Sequence, residues 1–299
     1  MSEQTKIPWC DSTINFWEDC TKVSPGCVNC YAEARDKRMM IEPVIHWGKG
    51  ALRRKSKSAV QQALAMNRKP WVCDACGYFS DDRRTKGGLL YCAKCECFRH
   101  YHRRRVFSLS LGDWLDPDVP IEWLAEMLDT IRKCDAVNWI LCTKRPELFL
   151  DRMWHVLNAG VPQQMHLWLL GWVDMNTPPS NVWILTSVED QKRADERIPN
   201  LLKIPAVVRG LSCEPLLGLI NLNETKGYWG GIGLHWVIVG GESGKNARPC
   251  DVRWIRSLKD QCQAAGVPVF VKQLGSNPVI TRPLMGYPFT RGADEPPLF

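Results

Sequence analysis

The sequence predicts an α/β fold: a full or partial β/α barrel of parallel strands, interrupted by one inserted segment. Three observations predict it. Short runs rich in Val, Ile, Leu and Trp recur along the chain, and near-continuous apolar strands are those buried on both faces of a parallel sheet. Amphipathic stretches of helical period lie between most of them, giving about seven strand–helix units. Polar groups gather just after the runs, where a β/α barrel builds its site from the loops at the carboxyl ends of its strands.

In order, strands are expected at Thr13 to Trp17, Val106 to Leu111, Val137 to Cys142, Val182 to Ser187, Val207 to Cys213, Trp236 to Gly240 and Val267 to Val271. Helices are expected at Cys30 to Met40, Ile121 to Lys133, Pro146 to Leu157, Asp190 to Leu202 and Val252 to Ala264. The Trp-rich stretch Gly160 to Ser180 ends in Thr177-Pro178-Pro179 and reads as a long surface loop or lid. The chain thus divides into a barrel core (1–48 and 106–275), an insertion (49–105) and an irregular tail rich in Pro and Gly (276–299).

The 299 residues are 45% hydrophobic and 24% charged, an ordinary globular composition that excludes whole-chain disorder. The longest apolar stretches, such as Met165 to Val173, are about half of what a bilayer span needs. Met1 to Pro8 is polar and lacks an apolar signal core, so the expectation is a cytoplasmic protein with no membrane partner. In a reducing compartment, 14 cysteines in clusters read as metal ligands before disulfides.

Two cysteine groups stand out. In the first, Cys20-X6-Cys27-X2-Cys30 follows the first strand. Three thiolates on one loop hold three irons of a 4Fe-4S cluster and leave the fourth open; zinc with Cys10 as fourth ligand, or buried free thiols, are the other readings. The second, Cys73-X2-Cys76-X15-Cys92-X2-Cys95, has the spacing of two knuckles closing a four-thiolate zinc site, with Gly77 and Gly87-Gly88 suited to the turns. The inserted segment is therefore expected to be a zinc ribbon, with a structural role because no coordination position is left open. Cys97, His100 and His102 read as solvated basic-strand residues or as substitutes for one of the four ligands.

The insertion is also basic. Lys49 to Arg105 holds 15 Lys or Arg against four acids, while the whole chain is only +7. Arg53, Arg54, Arg99, Arg103, Arg104 and Arg105, among Tyr78, Phe79, Tyr91, Phe98 and Tyr101, fit phosphate contacts with base stacking, so nucleic acid is the expected partner. At the strand ends stand Asp113, Lys144-Arg145, Glu189-Asp190, Glu214, Gly241-Glu242 and Lys272. Helix capping accounts for Asp113 or Asp190, but not for Lys144, Arg145 or Lys272.

Several of these residues carry a resemblance. Thr13-Ile14-Asn15, the run Cys20 to Glu33, Leu141 to Glu147, Ser187 to Asp190, Ser212 to Leu216 and Val239 to Gly244 resemble an uncharacterised phage and prophage protein family. Its three-cysteine motif is similar to that of radical S-adenosylmethionine enzymes, most nearly the spore photoproduct lyase group. Those enzymes space their cysteines by three residues, then two. Here the first gap is six, and the Gly-Gly-Glu element follows a late strand. The resemblance implies that Cys20, Cys27 and Cys30 hold a 4Fe-4S cluster, that S-adenosylmethionine binds its open iron, and that an external reductant feeds it. It implies cofactor contacts from Tyr31, Asp113, Ser187, Glu189, Gly241 and Glu242, with Lys144 and Glu214 as catalytic residues facing the substrate. Cys213, at a strand end, reads as a substrate-facing thiol or as a small buried strand residue.

Two functions follow as expectations: a radical S-adenosylmethionine-type enzyme acting on nucleic acid or a nucleotide-derived substrate, or a non-catalytic zinc-containing nucleic-acid-binding protein.

Overall fold

Alternation along each strand decides the architecture. Val106, Trp139, Leu141, Ile184, Leu211, Val237 and Val239 point to one side and pack with the helices, whereas Phe107, Ile140, Leu185 and Ile238 point to the other and meet Trp9 and Cys10. A sheet apolar on both faces has to be covered on both. In this computed structural model, which describes residues 5–39, 46–83, 85–86, 89–98, 100–222 and 233–280, helices cover the outer face and the sheet's own curl encloses the inner one.

The strands are β1 (Ser12–Ile14), β2 (Arg105–Ser108), β3 (Asn138–Thr143), β4 (Val182–Ser187), β5 (Val208–Cys213), β6 (Trp236–Gly240) and β7 (Val269–Gln273). They pair in chain order, every pair parallel, and β1 and β7 are the two edges. The fold is therefore a seven-stranded curled half-barrel, the partial form of the expected barrel. Among the described residues, no helix is long and apolar enough to cross a membrane.

The helices are α1 (Tyr31–Met39), α2 (Ala59–Asn67), α3 (Ile121–Lys133), α4 (Phe149–Asn158), α5 (Gln163–Val173), α6 (Gln191–Leu202) and α7 (Val252–Ala264). In α3, Leu124, Met127, Leu128 and Ile131 recur at three- and four-residue intervals, and that stripe is buried. Asp190 and Asp251 cap α6 and α7, accepting from the Arg193 and Arg253 amides at 2.9 Å each.

Three boundaries differ from expectation. The supposed loop Gly160 to Ser180 contains α5, because Met165, Leu169 and Trp172 fall on one buried face and the Trp172 indole donates to the Pro205 carbonyl at 2.7 Å. Thr177-Pro178-Pro179 merely follows the helix. The insertion 49–105 is two different things. Arg54–Lys55 pairs with Trp17–Glu18, and α2 buries Ala59 and Ala63 in the main core, so this first part is the barrel's own crossover to β2. What remains is a cysteine-bearing module with antiparallel strands at Trp71–Cys73, Phe79–Ser80 and Tyr101–Arg103. Since only Arg104 separates Tyr101–Arg103 from the first residue of β2, the module sits at the amino ends of the strands. At the other extreme, Pro278–Val279 pairs with Cys250–Asp251; the rest of the expected tail (281–299), Met40, Arg84, Gly87-Gly88 and Arg99 lie outside the described residues.

Candidate functional site

The same alternation that builds the inner face carries on past the strand ends. From Ile140 it sets Cys142 and Lys144 on the inner side of β3. Ser187 follows on β4, Ser212 and Glu214 on β5, and Lys272 on β7. These residues line one cavity of about 520 Å³ at the carboxyl ends of the strands. Trp9 and Phe107, with ring centroids 4.7 Å apart, belong to its apolar lining. The loop after β1 closes its rim and brings Cys20, Cys27 and Cys30 to the same cavity, where Tyr31, Asp113, Gly241 and Glu242 also appear.

Two carboxylates hold that loop rather than facing the cavity as free ligands. Glu189, 1% exposed, accepts from the Gly26 amide at 3.2 Å and pairs with Arg197 at 2.9 Å. Glu242 accepts from Asn29 Nδ2 at 2.8 Å and Arg248 Nη2 at 2.6 Å, and Arg248 Nη1 continues to the Pro25 carbonyl at 2.9 Å. Burial alone would raise both carboxyls. Arg197 and the Ser24 and Gly26 hydrogen bonds at Glu189, and Arg248 and Asn29 at Glu242, hold them below the usual range. The Cys27-X2-Cys30 turn is thus clamped from β4 on one side and β6 on the other.

Asp113 is committed as well. It accepts from Thr143 Oγ1 at 2.7 Å, the Lys144 amide at 2.9 Å and Arg145 Nη1 at 2.9 Å. Arg145 in turn points both Nη atoms at Cys20 Sγ, each 3.6 Å away. Burial pushes the Cys20 thiol up to about 12, with Asp113 adding to the rise and Arg145 opposing it. Lys144 Nζ donates to Ser187 Oγ at 3.2 Å. Burial would lower that ammonium, but Cys27, Cys142, Glu189 and Asp113 together hold it above the ordinary lysine value. Lys272 pairs with Glu214 at 2.9 Å. The Tyr31 hydroxyl donates to the Ser110 carbonyl.

Other expectations need correction. Cys213 points away from the cavity: its neighbours Ser212 and Glu214 take the inner positions, and it lies fully buried in the sheet–helix core, where burial pushes its thiol well up. Cys10 does not join the loop cysteines; it sits in the inner apolar cluster with its thiol directed at the Ile7 carbonyl. Gly241 serves backbone approach, since a Cβ there would lie 2.8 Å from the Leu274 carbonyl carbon. Sequence reasoning passed over Cys142, Asn29 and Arg248. Counting in twos from Ile140 finds the first; the contacts of Asn29 with Glu242 and of Arg248 with Pro25 cross more than two hundred residues and leave no local signal.

Of the arginines expected to meet phosphate, Arg53 and Arg104 are buried and Arg54, Arg103 and Arg105 are tied to other parts of the chain, while Arg99 lies outside the described residues. Arg53 has a fully buried side chain bonded to Asp116 (2.9 Å), Asp118 (3.0 Å) and Thr21 Oγ1 (2.7 Å). Arg104, 1% exposed, lies over the Phe79 ring and donates to Ser12 Oγ at 2.8 Å. Arg54 pairs with Asp19, Asp36 and Glu18, Arg105 with Asp11, and Arg103 donates to the carbonyls of Asp135 and Ala136. Among the described residues, the exposed cations at the module are instead Arg68, Lys69, Arg83, Lys86 and Lys94, with Arg83 stacked on Trp71 at 4.2 Å.

The four module cysteines form a site that could hold a metal ion. The sulfurs of Cys73, Cys76, Cys92 and Cys95 all lie within 4.8 Å of one another. Two matching knuckles present them. The Gly77 amide donates to the Cys73 carbonyl and the Glu96 amide to the Cys92 carbonyl, at 2.9 Å each, and Gly77 (φ 66°) and Glu96 (φ 56°) both adopt left-handed backbone. Among the described residues no other group of three or more Cys, His, Asp or Glu converges in this way.

No curated protein and no solved structure matches the chain. A family model does: it spans residues 4–282 and so takes in the half-barrel, the clamped cysteine loop and the four-cysteine module together. That match covers nearly the whole chain, and the protein belongs to the family described as protein of unknown function (DUF5131).

Proposed function

We propose that this protein is an iron–sulfur enzyme of the radical S-adenosylmethionine type, acting on a nucleic-acid or nucleotide-derived substrate. One observation carries the reading: three cysteines of one loop line a cavity at the carboxyl ends of a parallel half-barrel, and carboxylates from two strand ends clamp that loop. The donor set fits. Three soft thiolates suit iron–sulfur chemistry, and a cluster needs its cysteines on different irons, hence more widely spaced than around one ion. A 4Fe-4S cluster with S-adenosylmethionine on its open iron supplies, once reduced, a carbon radical able to take hydrogen from a substrate.

The chain's own residues do the rest. Cys20, Cys27 and Cys30 are the ligands, Glu189 and Glu242 hold their loop, and Arg145 supports the Cys20 sulfur. Trp9, Phe107 and Leu109 give the cavity an apolar lining that excludes water. Lys144 and the Glu214–Lys272 pair offer the polar contacts that orient what enters. The reductant is external, and the reducing cytoplasm is the compartment that keeps these thiols free.

The four-cysteine module favours a second component of the reading. Its sulfurs lie 3.7 Å (Cys76–Cys92) and 4.0 Å (Cys73–Cys95) apart. Tetrahedral zinc with Zn–S bonds of about 2.3 Å places sulfurs about 3.8 Å apart. We assign it zinc and a structural role, with its exposed cations as the nucleic-acid-facing surface. The non-catalytic reading keeps this module and discards the cluster. Iron and acid-labile sulfide in anaerobically prepared protein, with deoxyadenosine formed from S-adenosylmethionine and dithionite, test the enzyme. Zinc alone, with no iron taken up on reconstitution, would leave the binding protein.

A further inference from the structure

Among the described residues, the charges lining the cavity cancel except at two lysines, Lys6 and Lys144. Lys22 pairs with Glu33 at 2.6 Å, Arg145 with Asp113 at 2.9 Å and Lys272 with Glu214 at 2.9 Å, and the remaining acid of the wall, Glu242, pairs with Arg248 at 2.6 Å. Lys6 is exposed at the rim. Lys144 alone is a half-buried cation with no carboxylate within 4.0 Å among the described residues; its one hydrogen bond goes to Ser187 Oγ at 3.2 Å. An ammonium has three donors, so two are left to the cavity. Beside it, Ser187 and Ser212 stand opposite each other in the β4–β5 register, and both line the same wall. Glu189 and Asp113 act on this ammonium only from beyond ion-pair distance, so an anion entering the cavity is its first close counter-charge.

We propose that Lys144 is the anion anchor of this cavity, receiving a phosphate or carboxylate group of the ligand, with Ser187 and Ser212 beside it. This deepens the reading above by naming the ligand's chemistry, but it rests on the cavity's charges and does not require the cluster. The two possible sources of the anion are separable by matched probes: a nucleotide brings phosphate, an amino-acid moiety brings carboxylate.

The test uses the full-length chain freed of iron, titrated by calorimetry with deoxyadenosine 5′-monophosphate against deoxyadenosine, and with methionine against methioninamide. In one of the two pairs the anionic member should bind at least tenfold more tightly. Lys144→Gln should abolish that preference, and Lys144→Arg, which keeps the charge, should retain most of it. Thermal unfolding of each variant establishes that it is folded. The pair that responds identifies the source. Equal binding within both pairs, or a preference that survives Lys144→Gln, overturns the proposal. Because iron is absent throughout, a negative result leaves the cluster reading untouched, and a chain that never takes up iron can still show the preference.

Discussion

The Arg145 guanidinium grips the Cys20 sulfur. Both Nη atoms stand 3.6 Å from Sγ, while Nη1 also meets Asp113 at 2.9 Å and Nη2 donates to the Thr21 carbonyl at 2.7 Å. The arginine reaches across more than a hundred residues from the end of β3 to fix the first cysteine of the loop, and Asp113 fixes the arginine.

Hydrogen bonds and positive charge at a cluster sulfur favour the reduced, more negative state. Arg145→Lys keeps the charge but loses the planar fork that serves sulfur, carboxylate and carbonyl at once. The variant should take up iron and show a more negative midpoint potential in an anaerobic redox titration. An unchanged potential would mean that Arg145 only packs the loop.

Glu189 and Glu242 act on the ligands at one remove, and outer-shell partners typically cost about 10–100-fold in metal affinity when changed. Glu242→Gln should weaken iron retention within that range and speed amide hydrogen exchange over Ser24 to Cys30, while the melting temperature moves little. Retained iron with unaltered exchange would remove the clamp from the account.

Much of this was readable in advance, for a local reason. Ile121–Lys133, Val182–Ser187 and Val252–Ala264 fall where the apolar period places them, because those patterns answer to one sheet. The strand ends announced the mouth because a site built from consecutive loops is written in consecutive motifs. Three features were not readable. Met165, Leu169 and Trp172 carry a helical stripe inside an almost wholly apolar segment, where periodicity has little contrast. Arg53 and Arg104 look like surface charge until Asp116 and Ser12, far along the chain, are seen beside them. Cys213 and Ser212 differ only in which way the pleat turns them, and a one-residue shift exchanges their roles.

The module meets the barrel through His102, whose Nδ1 lies 2.6 Å from Asp74 of the first knuckle and whose Nε2 lies 3.1 Å from Asp11 before β1. The hydrogen bond with Asp11 raises its pKa above 6.5, the Asp74 bond adds to the rise, and burial and Arg105 oppose it. A raised folded-state pKa gives stability that is fully present below the unfolded value and lost as pH rises through the folded one. Exchange of the Trp71–Cys73 and Tyr101–Arg103 amides, corrected for intrinsic rates, should therefore rise with pH above about 6.5. In His102→Gln it should be flat; the same slope in that variant would assign it elsewhere.

Cys76→Ala should lose zinc and loosen the module, since metal binding at such a site is itself folding energy. Because the module sits at the amino ends of the strands and the cysteine loop at the carboxyl ends, iron uptake should persist. Metal analysis of the purified variant checks both at once, and loss of the two metals together would mean that the two ends do not fold separately.

The iron content of the anaerobically reconstituted protein and of Cys27→Ala, measured side by side, decides whether the loop cysteines hold a cluster. Three cysteines around one cavity, each on its own iron, predict about four irons per chain in the parent and their loss in the variant. A colourless parent that takes up no iron, or a Cys27→Ala protein that binds as much as the parent, would contradict it.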